Sequence, residues 1–261
     1  MIITDGRGKA ISLDEPPRRI VSLVPSTTES LFALGCGDAV VGVTRFCVHP
    51  ADRLDGRTRV GGTKDLVVAR LEALRPDLVI GNVEENTAEM FETIEERFPL
   101  YAAFPRTVDD AIADLRTMGA LVGAAEAAAA WAARITAARQ RLHASVTASK
   151  TFAYLIWRSP WMAVSDDTFI SAMLAEAGLS NGLAGAESRY PTIEPATLSK
   201  FDAILLSSEP FPFKDKHRVE LADLAGIPES RLSLVDGELC SWHGVRMAAA
   251  FDWLAQHAPG W

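Results

Sequence analysis

The sequence predicts an α/β protein of two lobes, each a small, mostly parallel sheet flanked by helices, joined by one long backbone helix. Three observations carry this expectation. Short continuous apolar runs alternate with helical stretches along the chain, the pattern of a parallel sheet covered on both faces. The second half repeats the plan of the first. Between the halves lies residues 124–148, AAEAAAAWAARITAARQRLHASVTA, with no Pro and no Gly and dominated by strong helix formers. Trp131, Ile135, Ala138, Leu142 and Val146 fall at helical spacing and make one apolar stripe, while Arg134, Arg139, Gln140 and Arg141 point elsewhere. At about 1.5 Å per residue the rod is roughly 35 Å long, and without Gly or Pro it is expected to bend little. The expected organisation is an N-terminal lobe over 1–123, the backbone helix over 124–148 and a C-terminal lobe over 149–261.

In chain order, residues 2–13 alternate weakly about Asp5-Gly6, a turn signal, and read as a hairpin. Residues 20–24 are a buried-type apolar strand. Pro25 and Ser26 end it, and Thr27 or Thr28 is expected to cap a helix through Leu34 with Glu29 in its first turn. Gly35 and Gly37 stop that helix. Residues 40–43 form a strand, 66–74 a helix, 78–81 a strand after the Pro76-Asp77 turn, and 87–97 a helix. A strand over 100–104 and a helix over 107–122, capped by Thr107 and stopped at Gly123, complete the first half. The second half reads as a strand at 152–157, a helix at 169–177 closed by Gly178, and a helix end at 197–200. Strands at 203–206 and 232–235 and a helix at 245–257 follow. The passage Leu74-Arg75-Pro76-Asp77-Leu78-Val79-Ile80 is echoed around Lys200-Phe201-Asp202-Ala203-Ile204-Leu205, which supports two lobes of similar topology.

Composition bounds the function. Hydrophobic residues at 48% with 23% charged describe a globular chain. A formal charge of −8, from 26 basic against 34 acidic residues, with no basic run, argues against a nucleic-acid partner. No apolar stretch reaches the 18 or so residues of a membrane span, so membrane insertion is not expected. The N-terminus has no apolar signal core, so the chain as it stands is expected to be cytoplasmic; a removed leader would make it periplasmic or lipid-anchored. Cys36, Cys47 and Cys240 are odd in number and form no C-x-x-C pair, which suggests neither a disulfide framework nor a thiolate zinc site.

Ligands of open α/β sheets bind outside the carboxyl ends of the strands. The loops expected there carry Cys47 and His49; Asn82, Glu84, Glu85 and Asn86; Arg106; Trp157, Arg158 and Trp161; Glu209, Phe211 and Phe213; and Asp236, Trp242 and His243, with Tyr190 joining them. Aromatic rings beside a few polar groups suit a large, flat, partly apolar ligand, or else pack the contact between lobes. His49 and His243 follow strands in opposite lobes, and either imidazole could reach a metal. No two histidines have H-x-H or i,i+4 spacing, so a dedicated protein cage is not indicated. Glu84-Glu85 could serve as an acid/base pair, although adjacent loop carboxylates are usually solvated. Enzyme motifs are missing. Ser26 is not in a G-x-S-x-G elbow, Gly61-Gly62-Thr63-Lys64 lacks the first glycine of a P-loop, and Gly35-Cys36-Gly37 follows a helix rather than a strand. No enzymatic activity is expected; a small-molecule enzyme using Glu84, Glu209 or Asp236 is the minor alternative.

The runs RRIVSLVPSTTESLFALGCGDAVVGVTRFCVHP, LEALRPDLVIGNVEEN and IWRSPWMAVSDDTFISAMLAEAGLSN, with Tyr190-Pro191, resemble the class III solute-binding proteins, or helical-backbone metal receptors, in their cobalamin-binding branch. The resemblance extends from about Pro17 to Ala255. It implies a non-catalytic receptor that holds a metal-containing chelate, above all a cobalamin-like corrinoid, in an inter-lobe cleft, with haem or a ferric siderophore as alternatives. No intrinsic cofactor is implied, because the metal arrives inside the ligand. His49 stands where cobalamin binders often have a Tyr, Tyr190 where a ring stacks on the corrin, Trp161 in a ligand-facing loop, and Asp236 to Trp242 in the last such loop. Gly62 and Asn82 fall near positions that hold tryptophans in the periplasmic cobalamin binder. His49 or His243 would be an axial donor to the ligand-borne metal. Family members deliver to an ABC permease through one exposed Glu per lobe; Ala69 and Ala196 align there, with Glu72 and Glu194 close by. A cytoplasmic carrier or sensor without a transporter is therefore the competing role.

Overall fold

The computed structural model describes residues 2–146 and 149–261. By internal contacts the chain divides into two units. The first takes Met1–Pro105, Asp109–Arg134 and His243–Arg246, and the second Arg106–Val108, Ile135–Trp242 and Met247–Trp261.

In the first unit the expected hairpin is present as β1 (Ile2–Thr4) and β2 (Ala10–Ser12), paired antiparallel. Five further strands follow: β3 (Ile20–Ser22), β4 (Val40–Val43), β5 (Thr58–Arg59), β6 (Leu78–Asn82) and β7 (Leu100–Ala103). They form one sheet in the order β5-β4-β3-β6-β7 with every pair parallel. The connecting helices are α1 (Pro25–Ala33), α2 (Val68–Leu74), α3 (Ala88–Glu95) and α4 (Val108–Leu121), followed by α5 (Ala125–Ser145). Strand side chains alternate between two faces. Val21, Val79, Leu100 and Ala102 pack with Leu71 of α2 and Met90, Phe91 and Ile94 of α3. On the opposite face Tyr101 donates to Asp114 of α4 at 2.5 Å, and Ser22 accepts from Thr28 of α1 at 2.8 Å. Both faces are therefore covered, which is why the strands read as unbroken apolar runs.

Two starts differ from expectation. Pro25 does not end a strand and leave Thr27 or Thr28 as the cap; it is the first residue of α1, with Val24 at the N-cap and no side-chain cap bond. Proline fits there because its fixed φ is helical and its missing N–H is an orphan anyway. Thr28 then lies inside the helix and turns its hydroxyl back to Val24 O at 3.0 Å. α2 begins at Val68 rather than Leu66 because Leu66 pairs with Gly61 in an isolated bridge. α3 has the expected cap, Thr87, whose hydroxyl accepts from Met90 N at 3.2 Å. The outer edge of β7 is not open: Gly6 N donates to Ala102 O at 2.8 Å, and Ala102 N donates to Asp5 Oδ2 at 3.4 Å.

Helix α5 is the long central rod, passing from the first unit to the second between Arg134 and Ile135. Its buried stripe is Ala128, Ala132, Ile135, Ala138 and Leu142. Trp131 is half-buried and donates from Nε1 to Ala33 O at 3.2 Å, while Val146 is exposed; the stripe thus starts on alanine, one turn earlier than expected. The last two residues of the expected helix lie outside the described residues.

The second unit has strands β8 (Lys150–Trp157), β9 (Met162–Ala163), β10 (Leu179–Asn181), β11 (Ala203–Ser207) and β12 (Leu232–Val235), and helices α6 (Phe169–Ala175), α7 (Asp215–Ala225), α8 (Gly237–Ser241) and α9 (Met247–His257). The sheet runs β10-β8-β11-β12 with β9 added to β8. Only the β8–β9 pair is antiparallel. Ala153, Leu155, Ile204, Leu206 and Leu232 pack against Leu221, Ala222 and Ala225 of α7. The expected helix end at 197–200 is a 3-10 stretch, Pro195–Lys200. Helix α7 is not foreseen by the sequence pattern, because DKHRVELADLA mixes charge with its apolar positions. It is set locally: Lys214 N donates to His217 Nδ1 at 3.0 Å, so His217 serves the helix start.

Candidate ligand-binding site

In each sheet the first strand lies inside, and successive connections leave it in opposite directions. β4 sits on one side of β3 and β6 on the other; β10 sits on one side of β8 and β11 on the other. Such a reversal opens a crevice at the carboxyl ends of the two central strands. The crevice lies between β3 and β6 in the first unit and between β8 and β11 in the second.

In the second unit this crevice holds a run of rings. Trp157 meets Phe211 edge-on at 5.8 Å, Trp161 stacks on Phe213 at 5.9 Å with planes 7° apart, and Phe211 meets Phe213 at 4.8 Å. His217 closes the group 5.1 Å from Phe211. Phe213 is buried, whereas Trp157 is 41% exposed, so an apolar ring edge faces outward above a packed base. Arg158 forms a two-bonded pair with Glu220, at 3.0 and 2.6 Å, beside the Trp161 ring. Behind the rings Glu209 accepts from Ser241 Oγ at 3.0 Å and Trp242 Nε1 at 2.9 Å, and its pKa is raised by burial despite those bonds. Trp242 is buried. Glu209 and Trp242 are thus tied to each other, and Asp236 caps α8 by accepting from Leu239 N at 3.2 Å. Arg106 and Arg189 both approach Asp167, at 3.8 Å each. Tyr190, half-buried, follows Arg189.

In the first unit the crevice is filled from within. His243, 9% exposed, lies with Nε2 3.4 Å from Ser26 Oγ and 3.3 Å from Asn82 Nδ2. Asn82 Oδ1 accepts from Glu84 N at 2.7 Å and Glu85 N at 3.3 Å. This fixes the amide with its nitrogen toward the ring, so Nε2 is the acceptor and the proton belongs on Nδ1. Burial pushes the His243 pKa down to about 4. The segment His243–Arg246 is strapped onto α1: Val245 N donates to Ser30 Oγ at 3.2 Å, and Gly244, at φ +87°, sits where a Cβ would come 2.3 Å from that same oxygen. The ring nitrogen that would face a metal is thus engaged with Asn82, and His243 is an anchor of this strap.

The other first-unit candidates divide similarly. Cys47 is enclosed, 3.1 Å from Thr28 Oγ1 and 3.2 Å from Thr44 Oγ1, and burial raises its pKa. Asn86 spends its side chain on Asn82 N and Thr63 O, both at 2.9 Å. Glu84 O accepts from Lys64 Nζ at 2.6 Å. His49 is half-exposed, beside exposed Phe46 and Val48. Ser26, Phe213, His217 and the Arg158–Glu220 pair are the site features the candidate residues omit; their signal was only their position after a strand. Among the described residues no group of three or more His, Cys, Asp or Glu side chains could hold a metal ion.

Two parallel sheets with aromatic and polar loops gathered at their carboxyl ends define a ligand-binding protein of the α/β class. The chain belongs to the periplasmic binding protein family, whose model matches residues 20–208. This is a family of binding proteins, not of enzymes. Among curated relatives, the cobalamin-binding protein of Halobacterium salinarum is 30% identical over 76% of this chain and 55% of its own length. The vitamin B12-binding protein of Vibrio campbellii is 25% identical over 68% of this chain and 66% of its own. The chain thus matches less than two thirds of the length of these relatives. Among solved structures, the periplasmic heme-binding protein RhuT from Roseiflexus sp. RS-1 is 26% identical with a TM-score of 0.78, covering 94% of this chain and 99% of that one. The periplasmic vitamin B12 binding protein BtuF of Vibrio cholerae has the same fold, with a TM-score of 0.78 at 20% identity over 92% of this chain and 96% of that one.

Proposed function

We propose that this protein binds a metal-containing chelate, a cobalamin-like corrinoid, as the substrate-binding component of an ABC transporter. The observation that carries the reading is the ring series at the crevice between β8 and β11, with Trp157 exposed above buried Phe213. A corrin is a wide, flat, partly apolar plate, and stacked or edge-on rings are the cheapest complement to it. Trp157, Trp161, Tyr190 and Phe211 supply that surface. His49, Glu84, Arg106 and Asp236 supply polar contacts at the strand ends, with His49 as axial donor to the ligand-borne metal. Cys47, Asn86, Glu209, Trp242 and His243 hold the loops in place. The metal is cargo within the ligand. The names of the relatives, for vitamin B12 and cobalamin, support this choice of chelate, and the heme-binding neighbour makes haem the second reading.

The lobes of this receptor run over 1–123 and 149–261, joined by the helix of 124–148. In this role the protein works outside the cytoplasm, periplasmic or lipid-anchored, rather than as the cytoplasmic chain its N-terminus suggests, and delivers its cargo to a permease. Among the described residues no helix is long and apolar enough to cross a membrane. The test is a titration with hydroxocobalamin, hemin and a ferric hydroxamate, followed by visible absorption and thermal shift. Saturable one-to-one binding of hydroxocobalamin with a shifted spectrum is expected. Binding of hemin alone transfers the reading to haem, and binding of none of the three overturns it.

A further inference from the structure

We propose that the strap His243–Arg246 is an acid-released latch on the first unit, with His243 as its trigger. The reasoning rests on donor and acceptor geometry. Asn82 cannot turn its amide over, because Oδ1 is required by the backbone N–H groups of Glu84 and Glu85, and Asn82 N is itself held by Asn86 Oδ1. Its Nδ2 therefore presents a hydrogen to His243 Nε2 at 3.3 Å. A proton on Nε2 would set two donors against each other at that distance, turning an attraction into a repulsion. The second neighbour, Ser26, lies in the first turn of α1 (Pro25–Ala33), where the unpaired N–H groups of a helix disfavour a cation. An imidazolium cannot stay where the imidazole sits.

The charged groups on the elements packed against the ring do not offer a remedy. On α1 the acidic residue is Glu29, already gripped by Arg246 with two bonds. On the loop after β6 they are Glu84 and Glu85, whose backbone N–H groups hold Asn82 in the orientation that repels a cation. On the strap itself the group is Arg246, a like charge. The thiol of Cys47, behind Thr28, is held neutral by burial. Desolvation pushes the His243 pKa down, in agreement with the geometry. Because Gly244 and Val245 are docked on Ser30 by close contact, displacing the ring lifts the whole segment from α1.

The experiment is hydrogen–deuterium exchange of the full-length, ligand-free protein near neutral pH and near pH 4.5, with labelling times scaled for intrinsic exchange. Being ligand-free, it succeeds or fails independently of which chelate is bound. Peptides spanning 243–246 should lose protection by about tenfold or more in acid while those of β3 and β6 keep theirs. His243→Gln, which can present an amide oxygen to Asn82 but cannot titrate, should keep the strap protected at both pH values. Asn82→Asp, which accepts from a protonated Nε2, should move the loss of protection to lower pH or abolish it. Equal protection at the two pH values in the wild type overturns the proposal. So does an acid loss that persists unchanged in both variants.

Discussion

Arg246 and Glu29 lie 217 positions apart in sequence and meet as a matched fork, Nε to Oε2 at 2.8 Å and Nη2 to Oε1 at 2.9 Å. Their side chains are 14% and 23% exposed, so water weakens the pair less than at an open surface. Arg246→Met is expected to cost about 1.5–3 kcal/mol, the range for hydrogen bonds to charged groups. Urea unfolding of Arg246→Met, Glu29→Gln and the double variant checks this: strong non-additivity is expected, and simple addition would count against a coupled pair.

Gly244 supplies the second fastening. Its φ of +87° suits glycine, and a methyl group there would strike Ser30 Oγ at 2.3 Å. Gly244→Ala should therefore destabilise by roughly 1–3 kcal/mol through backbone strain and displacement of Ser30. A Gly244→Ala, Ser30→Ala double variant should recover the steric part and leave the conformational part. No recovery would mean the clash is not what the substitution meets.

Two buried titrating groups oppose each other. His243 has its pKa lowered to about 4 by burial; relative to an unfolded value near 6.5, its stabilisation is complete above 6.5 and lost as pH falls through 4. Asp114, beside Tyr101, has its pKa raised to about 6 by burial, against a counter-effect of the Tyr101 hydrogen bond. It favours the fold fully below the unfolded value near 3.8, and that contribution is lost as pH rises through 6. Each is worth about 3 kcal/mol at 1.36 kcal/mol per pH unit, so between about pH 4 and 6 their combined effect nearly cancels. Thermal melts across this window should show little slope from the pair in the wild type. Asp114→Asn should unmask stability that rises with pH, and His243→Gln stability that falls with it. The same slope in all three proteins would refute the assignment.

Trp157 is exposed at 41% and touches its own unit through the edge of Phe211. Trp157→Ala should weaken hydroxocobalamin binding by about tenfold, about 1.4 kcal/mol, with little change in melting temperature. Trp161→Ala should lower both, because its stack on Phe213 belongs to the core. Unchanged affinity in both variants would place the chelate elsewhere.

The three thiols should separate by reactivity. Cys47 is enclosed with a raised pKa, and burial pushes Cys240 up to about 12. Cys36 is only half-buried. Mild alkylation of the native protein near neutral pH should label Cys36 first, and the other two only on unfolding. Prompt labelling of Cys47 would show that its hydroxyl shell opens.

Much of the fold is legible because parallel strands covered on both faces leave continuous apolar runs. The strand at 40–43 coincides with β4, and those ending at Val235 and beginning at Ala203 are within a residue of their observed bounds. Helix α7 is hidden because its start depends on His217 bonding to the backbone of Lys214, a tertiary-scale detail with no periodic trace. The site is legible as a set of loops but not as partnerships. That Trp161 lies on Phe213, or that Glu209 takes the indole of Trp242, follows from the register that sets Leu206 beside Leu155. Nothing in local sequence states that register. His243 shows the same limit: sequence marks it as a loop imidazole, while its role is decided by an amide 161 positions away.

The contact between the N-terminal hairpin and β7 has a consequence for how the protein behaves in a crowded solution. Ala102 would otherwise offer its N–H and C=O along the rim of a parallel sheet, a template on which a second chain could add a strand. Asp5 and Gly6 occupy both groups, and Arg7 and Lys9 place charge beside them through their pairs with Glu95. Residues that contribute to no candidate binding loop thus guard the molecule against pairing with its own kind, and shelf life at high concentration depends on them more than on any residue of the site.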